Sequence, residues 1–238
     1  MIRFILLDIE GTTTDIDFVH KVLFPYAAER LANYVEMHRN DPEVQAALAS
    51  VKETVQQEEG QTIDDAEAID TLLCWICDDR KHTALKTLQG LIWKSGFENG
   101  DYQGHVYPDV PEALERWKQE GIGLGIYSSG SMQAQQLLFG HSVAGDLTPY
   151  FSHYFDTKVG GKKEAQSYRT IAEQLQISPQ EILFLSDVVE ELDAAAEAGF
   201  QVTQLVRSTQ TTPGTQYPTV ENFTQIDPNA LTVLHANP

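Results

Sequence analysis

The chain has 238 residues, enough to bury a substantial core as one large domain or as a core domain with a smaller companion. Its 35 acidic and 16 basic side chains give a formal net charge of -19, which argues against nucleic acid and anionic membranes as partners, because both are bound through clusters of Lys and Arg. A small phosphorylated ligand stays open, since a metal ion and one lysine can make a site locally positive. No apolar stretch is long enough for a signal-peptide core or a bilayer span, and two cysteines form no disulfide framework, so a cytoplasmic location is expected.

Phe4-Ile5-Leu6-Leu7 predicts a short strand buried on both faces, as in a parallel sheet, and it breaks abruptly into Asp8-Ile9-Glu10-Gly11. From about Asp17 to Lys94 the periodicity is helical, with Val19, Val22, Leu23 and Tyr26 on one face. Asp41-Pro42-Glu43 reads as a cap with Pro at the first helical position, and Gly60 to Asp65 as a loop before another helix. Cys74 and Cys77, with His82 nearby, admit a zinc or redox reading. Zinc would need a second pair of ligands, however, and the cysteines lie mid-helix by pattern, so buried packing beside Trp75 is the expectation. Ser95 to Asp101 is expected to be the loop that closes this helical insert.

Beyond Tyr107, helix and strand alternate. Pro108 to Pro111 caps a helix carrying Leu114 and Trp117 that ends at Gly121, and Ile122 to Tyr127 is a buried strand followed by Ser128-Ser129-Gly130-Ser131 and a helix. A strand near Tyr154-Phe155, a helix over about 164–175, a strand at Ile182 to Leu185 ending in Ser186-Asp187, a helix with Leu192, Ala195 and Ala198, and a strand at Val202 to Val206 complete the series. The tail reads as loop with a final apolar helical turn near Leu231 to Leu234. This alternation predicts an α/β fold with a Rossmann-like, doubly wound parallel sheet, in which ligands bind beyond the carboxyl ends of the strands.

Four candidate sites fall at or beside those ends: Asp8 with Glu10, Ser128 with Ser129, Lys162, and Asp187. Asp8 and Asp187 with a backbone carbonyl suit Mg²⁺, and Asp8 also suits attack on an electrophile. Ser128, Ser129 and the amides at the start of the following helix suit phosphate oxygens, and Lys162 suits charge that develops during phosphoryl transfer. Each residue alone has an ordinary reading as a turn, cap or solvated charge; their joint order favours chemistry.

That order resembles the four motifs of the haloacid dehalogenase superfamily, and the helical block resembles its cap domain. Longer strings narrow the likeness to the enolase-phosphatases of methionine salvage. They are Asp8 to Thr14, Phe18-Val19-His20, Leu23 to Ala27, Asp79-Arg80-Lys81, Leu88 to Trp93, Tyr127 to Ser131, Leu137-Leu138-Phe139, Phe155 to Lys162 and Phe184 to Asp187. Asp15 and Asp17 depart from it, standing where proline and serine are expected.

The resemblance implies a core of residues 1–16 and 101–238, a helical cap of 17–100, and one Mg²⁺ per subunit. The metal would be held by Asp8, Asp187 and Glu10, the last through side chain or carbonyl. It implies catalytic roles for Asp8, Glu10 and Lys162, and substrate-binding roles for Ser128, Ser129 and Lys162. The implied substrate is the small phosphorylated diketone 2,3-diketo-5-methylthiopentyl 1-phosphate, handled by a monomer without nucleic-acid or membrane partners. Another phosphatase or mutase of the superfamily would share the four sites but not the cap strings; a receiver-type signalling domain would lack the large helical insert.

Overall fold

The computed structural model describes residues 1–209 and 211–230, so the helical turn expected near Leu231 to Leu234 lies outside the described residues. The chain forms two compact units, an α/β unit of Met1–Ile16 with the chain from Gln103 onward, and a helical unit of Asp17–Tyr102.

The first strand, β1 (Phe4–Leu7), is buried along its whole length. After a short turn, α1 (Ile16–Phe18), the chain enters a π-helical turn at Val19–Leu23 closed by the Phe24 N–H on the Val19 carbonyl. Pro25, which has no N–H to give the preceding turn, explains why the ladder widens there before α2 (Phe24–Met37) begins. Helix α3 (Pro42–Glu59) starts at Asp41, whose carboxylate accepts the Glu43 N–H, and ends at a left-handed Gly60. Helix α4 (Asp65–Cys77) opens with a reciprocal capping box between Asp64 and Glu67.

Helix α5 (Thr83–Asn99) runs straight through the segment expected to be a loop from Ser95. Gly96 is there for packing rather than for a turn. A Cβ at this position would come within 2.6 Å of the Tyr102 ring and 2.8 Å of the Tyr26 ring. Leu31, Val51, Leu72 and Leu88 are among the fully buried side chains of this unit's own core. The expected burial of Cys74 and Cys77 is corrected, since both are free and exposed. The inward stripe of α4 is Ala68, Leu72, Trp75 and Ile76, which leaves 74 and 77 together on the opposite face.

In the α/β unit, α6 (Val110–Gln119) leads into β2 (Gly123–Tyr127), α7 (Met132–Gly140) into β3 (His153–Phe155), and α8 (Ala165–Leu175) into β4 (Ile182–Ser186). Helix α9 (Val189–Glu197) leads into β5 (Gln201–Leu205), and a two-residue strand, β6 (Thr219–Val220), closes one edge. All pairings are parallel, in the order β3-β2-β1-β4-β5-β6. Phe4, Leu6, Tyr168, Ile171, Phe184 and Leu192 belong to one buried layer on this sheet. Each such side chain contributes about 1.5–3 kcal/mol through removal from water. The chain leaves β1 for β2 and β3 on one side and returns to β4 on the other, so the strand order reverses between β1 and β4. The carboxyl ends of these two strands form the crevice in which such sheets bind ligands.

Candidate active site

Asp8 leaves the end of β1 and is only 4% exposed. Its Oδ1 accepts the Ile9 N–H at 2.7 Å and the Lys162 ammonium at 2.6 Å, and its Oδ2 accepts the Ser186 hydroxyl at 3.0 Å. Lys162 arrives from the loop before α8, and hydroxyls fix that loop: Tyr127 donates to the Gly160 carbonyl, Ser167 to that of Gly161 and Tyr168 to that of Lys162, at 2.9, 2.8 and 2.7 Å. Its neighbour Lys163 is at the surface, 3.9 Å from Glu190. The structure therefore brings Lys162, and not Lys163, to Asp8.

A further carboxylate, Glu191, completes the cluster. Its Oε2 lies 2.7 Å from the Lys162 Nζ and 3.1 Å from the Ser186 Oγ. Ser186 has one proton, so it donates to Asp8 or to Glu191 but not to both at once. Glu191 and Ser186 were not among the residues singled out from the sequence. Glu190-Glu191 reads as the solvated start of a helix; the available signal was that Glu191 falls one turn beyond Asp187, on the side facing the site.

Asp187, at the exit of β4, packs against the backbone of Gly11, where an added Cβ would lie 2.3 Å from its Oδ2. Gly11 adopts φ +68°, which lets the Ile9–Thr14 loop fold back so that the N–H groups of Thr12, Thr13 and Thr14 all point at the Ile9 carbonyl. Glu10 sits in this loop, half-buried, and pairs with Thr14. Ser128 is buried at the end of β2 beside β1, its Oγ accepting the Gly130 N–H at 3.1 Å; Ser129 follows it half-buried. Neither caps α7, whose cap is Ser131. The structure thus joins Asp8 directly to Lys162, sets Asp187 against the Glu10 loop, and places Ser128 at the adjacent strand end.

The electrostatics follow from crowding three carboxylates around one ammonium. Burial pushes the Asp187 carboxyl up to about 7, helped by the Asp8 charge. Burial and Asp8 likewise raise Glu191, against the pull of Lys162. For Lys162, burial lowers the affinity for its proton, but Asp8 and Glu191 outweigh it and hold the ammonium above the usual lysine range.

The neighbouring carboxylates of Asp8 and Asp187 offer oxygen donors alone, a chemistry that would suit a hard divalent cation and would relieve their mutual repulsion. Among the described residues no three His, Cys, Asp or Glu side chains converge on one metal position. The side chains of Asp8, Glu10 and Asp187, expected together as ligands, therefore do not meet as one three-carboxylate cluster. Also among the described residues, no helix is long and apolar enough to cross a membrane.

The family model for haloacid dehalogenase-like hydrolases matches residues 2–199. The chain is 53% identical over 231 residues to the enolase-phosphatase E1 of Klebsiella oxytoca, covering 97% of this chain and 99% of the relative. It is 50% identical over 236 residues to that of a Picosynechococcus species, covering 99% and 100%. Among solved structures, the UTR4 protein of Saccharomyces cerevisiae superposes with a TM-score of 0.77 at 33% identity, over 95% of this chain and 100% of that one. The L-2-haloacid dehalogenase of Xanthobacter autotrophicus shares the fold, with a TM-score of 0.59 at 18% identity over 98% of this chain and 100% of that one. With half its residues shared along nearly its whole length, the chain belongs to the enolase-phosphatase E1 family within the haloacid dehalogenase-like hydrolases.

Proposed function

We propose that this protein converts 2,3-diketo-5-methylthiopentyl 1-phosphate into the acireductone 1,2-dihydroxy-3-keto-5-methylthiopentene and phosphate, as the enolase-phosphatase step of methionine salvage. One observation carries this reading. The match to the enolase-phosphatases, at 50% and 53% identity, covers 97% or more of this chain and so takes in the helical unit Asp17–Tyr102 as well as the sheet. Residues 17–100 are, in this reading, the cap of the family, and the enzyme works as a cytoplasmic monomer with one Mg²⁺ per subunit.

Asp8 is the nucleophile. Its carboxylate oxygen forms a bond to phosphorus as the bond from phosphorus to the substrate oxygen breaks, and Glu10 gives that leaving oxygen a proton. Glu10 then takes a proton from the water that attacks the aspartyl-phosphate, which releases phosphate and restores Asp8. The Lys162 ammonium, held 2.6 Å from Asp8, neutralises charge gathering on the phosphoryl oxygens. The hydroxyls of Ser128 and Ser129 orient those oxygens. Asp8, Asp187 and Glu10 would hold Mg²⁺, which would supply positive charge against the negative charge that builds up in both halves of the reaction. In the enolisation half, Glu10 takes the proton from the carbon beside the carbonyl; the C–H electron pair becomes the C=C bond, the carbonyl π pair moves onto oxygen, and that oxygen takes a proton from solvent.

The test supplies the diketo phosphate with and without Mg²⁺ and follows both phosphate release and the ultraviolet absorption of the enediol. Both signals are expected, and both are expected to depend on the metal. Release of phosphate from ordinary sugar phosphates but not from this compound would reject the specific reading. For the roles, Asp8→Asn is expected to abolish phosphate release and the acid-stable phosphoenzyme, and normal release by that variant would remove Asp8 as nucleophile. Glu10→Gln enolising at the normal rate would assign the base elsewhere.

A further inference from the structure

Arg207, just past β5, belongs to none of the four motif sites, yet its side chain is only 4% exposed. Nη1 donates to both carboxylate oxygens of Asp109, at 2.7 and 2.9 Å, and Nε donates to the Thr12 carbonyl at 2.9 Å. The rings of Tyr107 and Phe223 flank the guanidinium, their centroids 4.4 and 4.7 Å from its central carbon. Asp109 also accepts the Phe223 N–H at 2.7 Å. One buried cation therefore joins three places distant in sequence: the loop after Asp8, the entry to α6, and the segment beyond β6.

This arrangement is poorly explained as a device for stability alone. A buried ion pair gives back much of its attraction in desolvation, so its main product is fixed geometry. Asp109 stands at the N-cap position of α6, yet it makes no side-chain capping bond there, and its carboxylate faces Arg207 and the Phe223 amide instead. The Nη2 of Arg207 is buried without a hydrogen-bond partner among the described residues, so the side chain is not placed to satisfy all its donors.

The far end of the tether decides the meaning. Thr12 lies in the loop whose amides converge on the Ile9 carbonyl, and this loop carries Glu10. Inside the loop the Thr13 hydroxyl is within 3.1 Å of the Asp8 carbonyl. Its outer side is held by Arg207 on the Thr12 carbonyl, by the Tyr107 N–H on the Thr13 carbonyl at 3.0 Å, and by the Thr14 hydroxyl on the His105 carbonyl at 2.8 Å. Tyr107 is thus pinned twice, by its backbone to the loop and by its ring to Arg207.

We propose that Arg207 is a positioning residue, whose tether to Thr12, anchored by Asp109 and stacked on Tyr107, holds the Glu10 loop in the geometry its proton transfers require. The kinetic part rests on the role assigned to Glu10 above; the tether itself does not. A lysine, with one ammonium in place of a planar fork, cannot reach Asp109 and Thr12 together.

The experiment compares Arg207→Lys and Arg207→Met with Ile171→Val, a core substitution in the same unit that touches neither the loop nor Arg207. Amide hydrogen exchange over residues 9–14 is expected to quicken in both Arg207 variants and not in Ile171→Val. With the diketo phosphate, kcat is expected to fall about 10- to 100-fold in the Arg207 variants while KM changes little, because a displaced acid–base group costs the chemical step and not binding. Unchanged exchange over 9–14 would overturn the tether. Faster exchange with wild-type kcat, or a loss of kcat that tracks melting temperature as it does in Ile171→Val, would overturn positioning. Should the Arg207 variants fail to fold, Asp109→Asn takes their place, with the same two outcomes decisive. A wild-type enzyme inactive on the diketo phosphate would reject the proposed function, and the exchange comparison would still judge the tether.

Discussion

At Gly11 and Asp187, a single hydrogen atom separates a working site from a collision. A methyl at position 11 would lie 2.3 Å from one oxygen of Asp187 and 2.5 Å from its carboxyl carbon, on a backbone already at φ +68°. Gly11→Ala is therefore expected to cost about 1–3 kcal/mol of stability in denaturant titration and to reduce phosphate release at least as severely as any loss of Asp187. Wild-type stability and rate in that variant would show the carboxylate free to move aside. Glu191 gives the opposite pattern. Glu191→Gln keeps the volume and removes a charge raised in pKa by burial and by Asp8, while Lys162 keeps its contact with Asp8. Turnover should fall, as the ammonium loses its second anchor, while the melting temperature at neutral pH holds or rises. Asp8, Lys162 and Asp187 were legible because each follows an apolar strand or a glycine turn. Glu191 was not, because its role depends on which face of α9 turns to the sheet, and two adjacent glutamates look alike in a sequence.

At the level of elements, the caps of the helical unit are readable and its packing is not. Asp41, Asp64 and Gly60 announce themselves by residue type. Gly96 looked like a helix stop and is a place where two tyrosine rings approach the backbone. Gly96→Ala tests the distinction. Helix propensity alone favours alanine by about 1 kcal/mol, whereas overpacking against Tyr26 and Tyr102 costs about 1–3 kcal/mol, so net destabilisation is expected. Cys74 and Cys77 fail the same way, since hydrophobic character did not reveal which stripe of α4 turns inward.

His82 begins α5, its Nδ1 accepting the Ala84 N–H at 3.2 Å while Nε2 meets the Thr54 hydroxyl at 3.0 Å. Burial, helped by Arg80, lowers its pKa from the ordinary histidine value. The folded protein therefore releases a proton that the unfolded chain holds at mildly acid pH. The contribution of this cap is present above the unfolded value of about 6.5 and is lost as pH falls toward the lower folded value. Thermal unfolding at pH 7 and pH 5 should show the helical unit weakening on acidification, and His82→Asn, which caps without titrating, should flatten that difference. The two-residue strand β6 had no legible signal at all; it exists because β5 offers it an edge.

For the whole molecule, the charge of -19 acts on every element at once. Like-charge repulsion is screened by salt, so the melting temperature is expected to rise by a few degrees between about 0.05 and 0.5 M sodium chloride. A fall would mean that the exposed ion pairs, such as Arg80 with Glu58, outweigh the repulsion. Fold class was legible from alternation because a parallel sheet forces helices between strands. Strand order was not, since nothing local tells β1 which partners it will meet.

That order bears on how the protein is made. Phe4 must pair with Gly123 on one side and Ile182 on the other, and Ser186 reaches back to Asp8 across 178 residues. During synthesis β1 leaves the ribosome before either strand it pairs with, so its four apolar side chains lack those neighbours while the helical unit, whose contacts are local, can already close. The segment that carries Asp8 is thus the one that waits longest for its strand partners and the last to acquire its final environment.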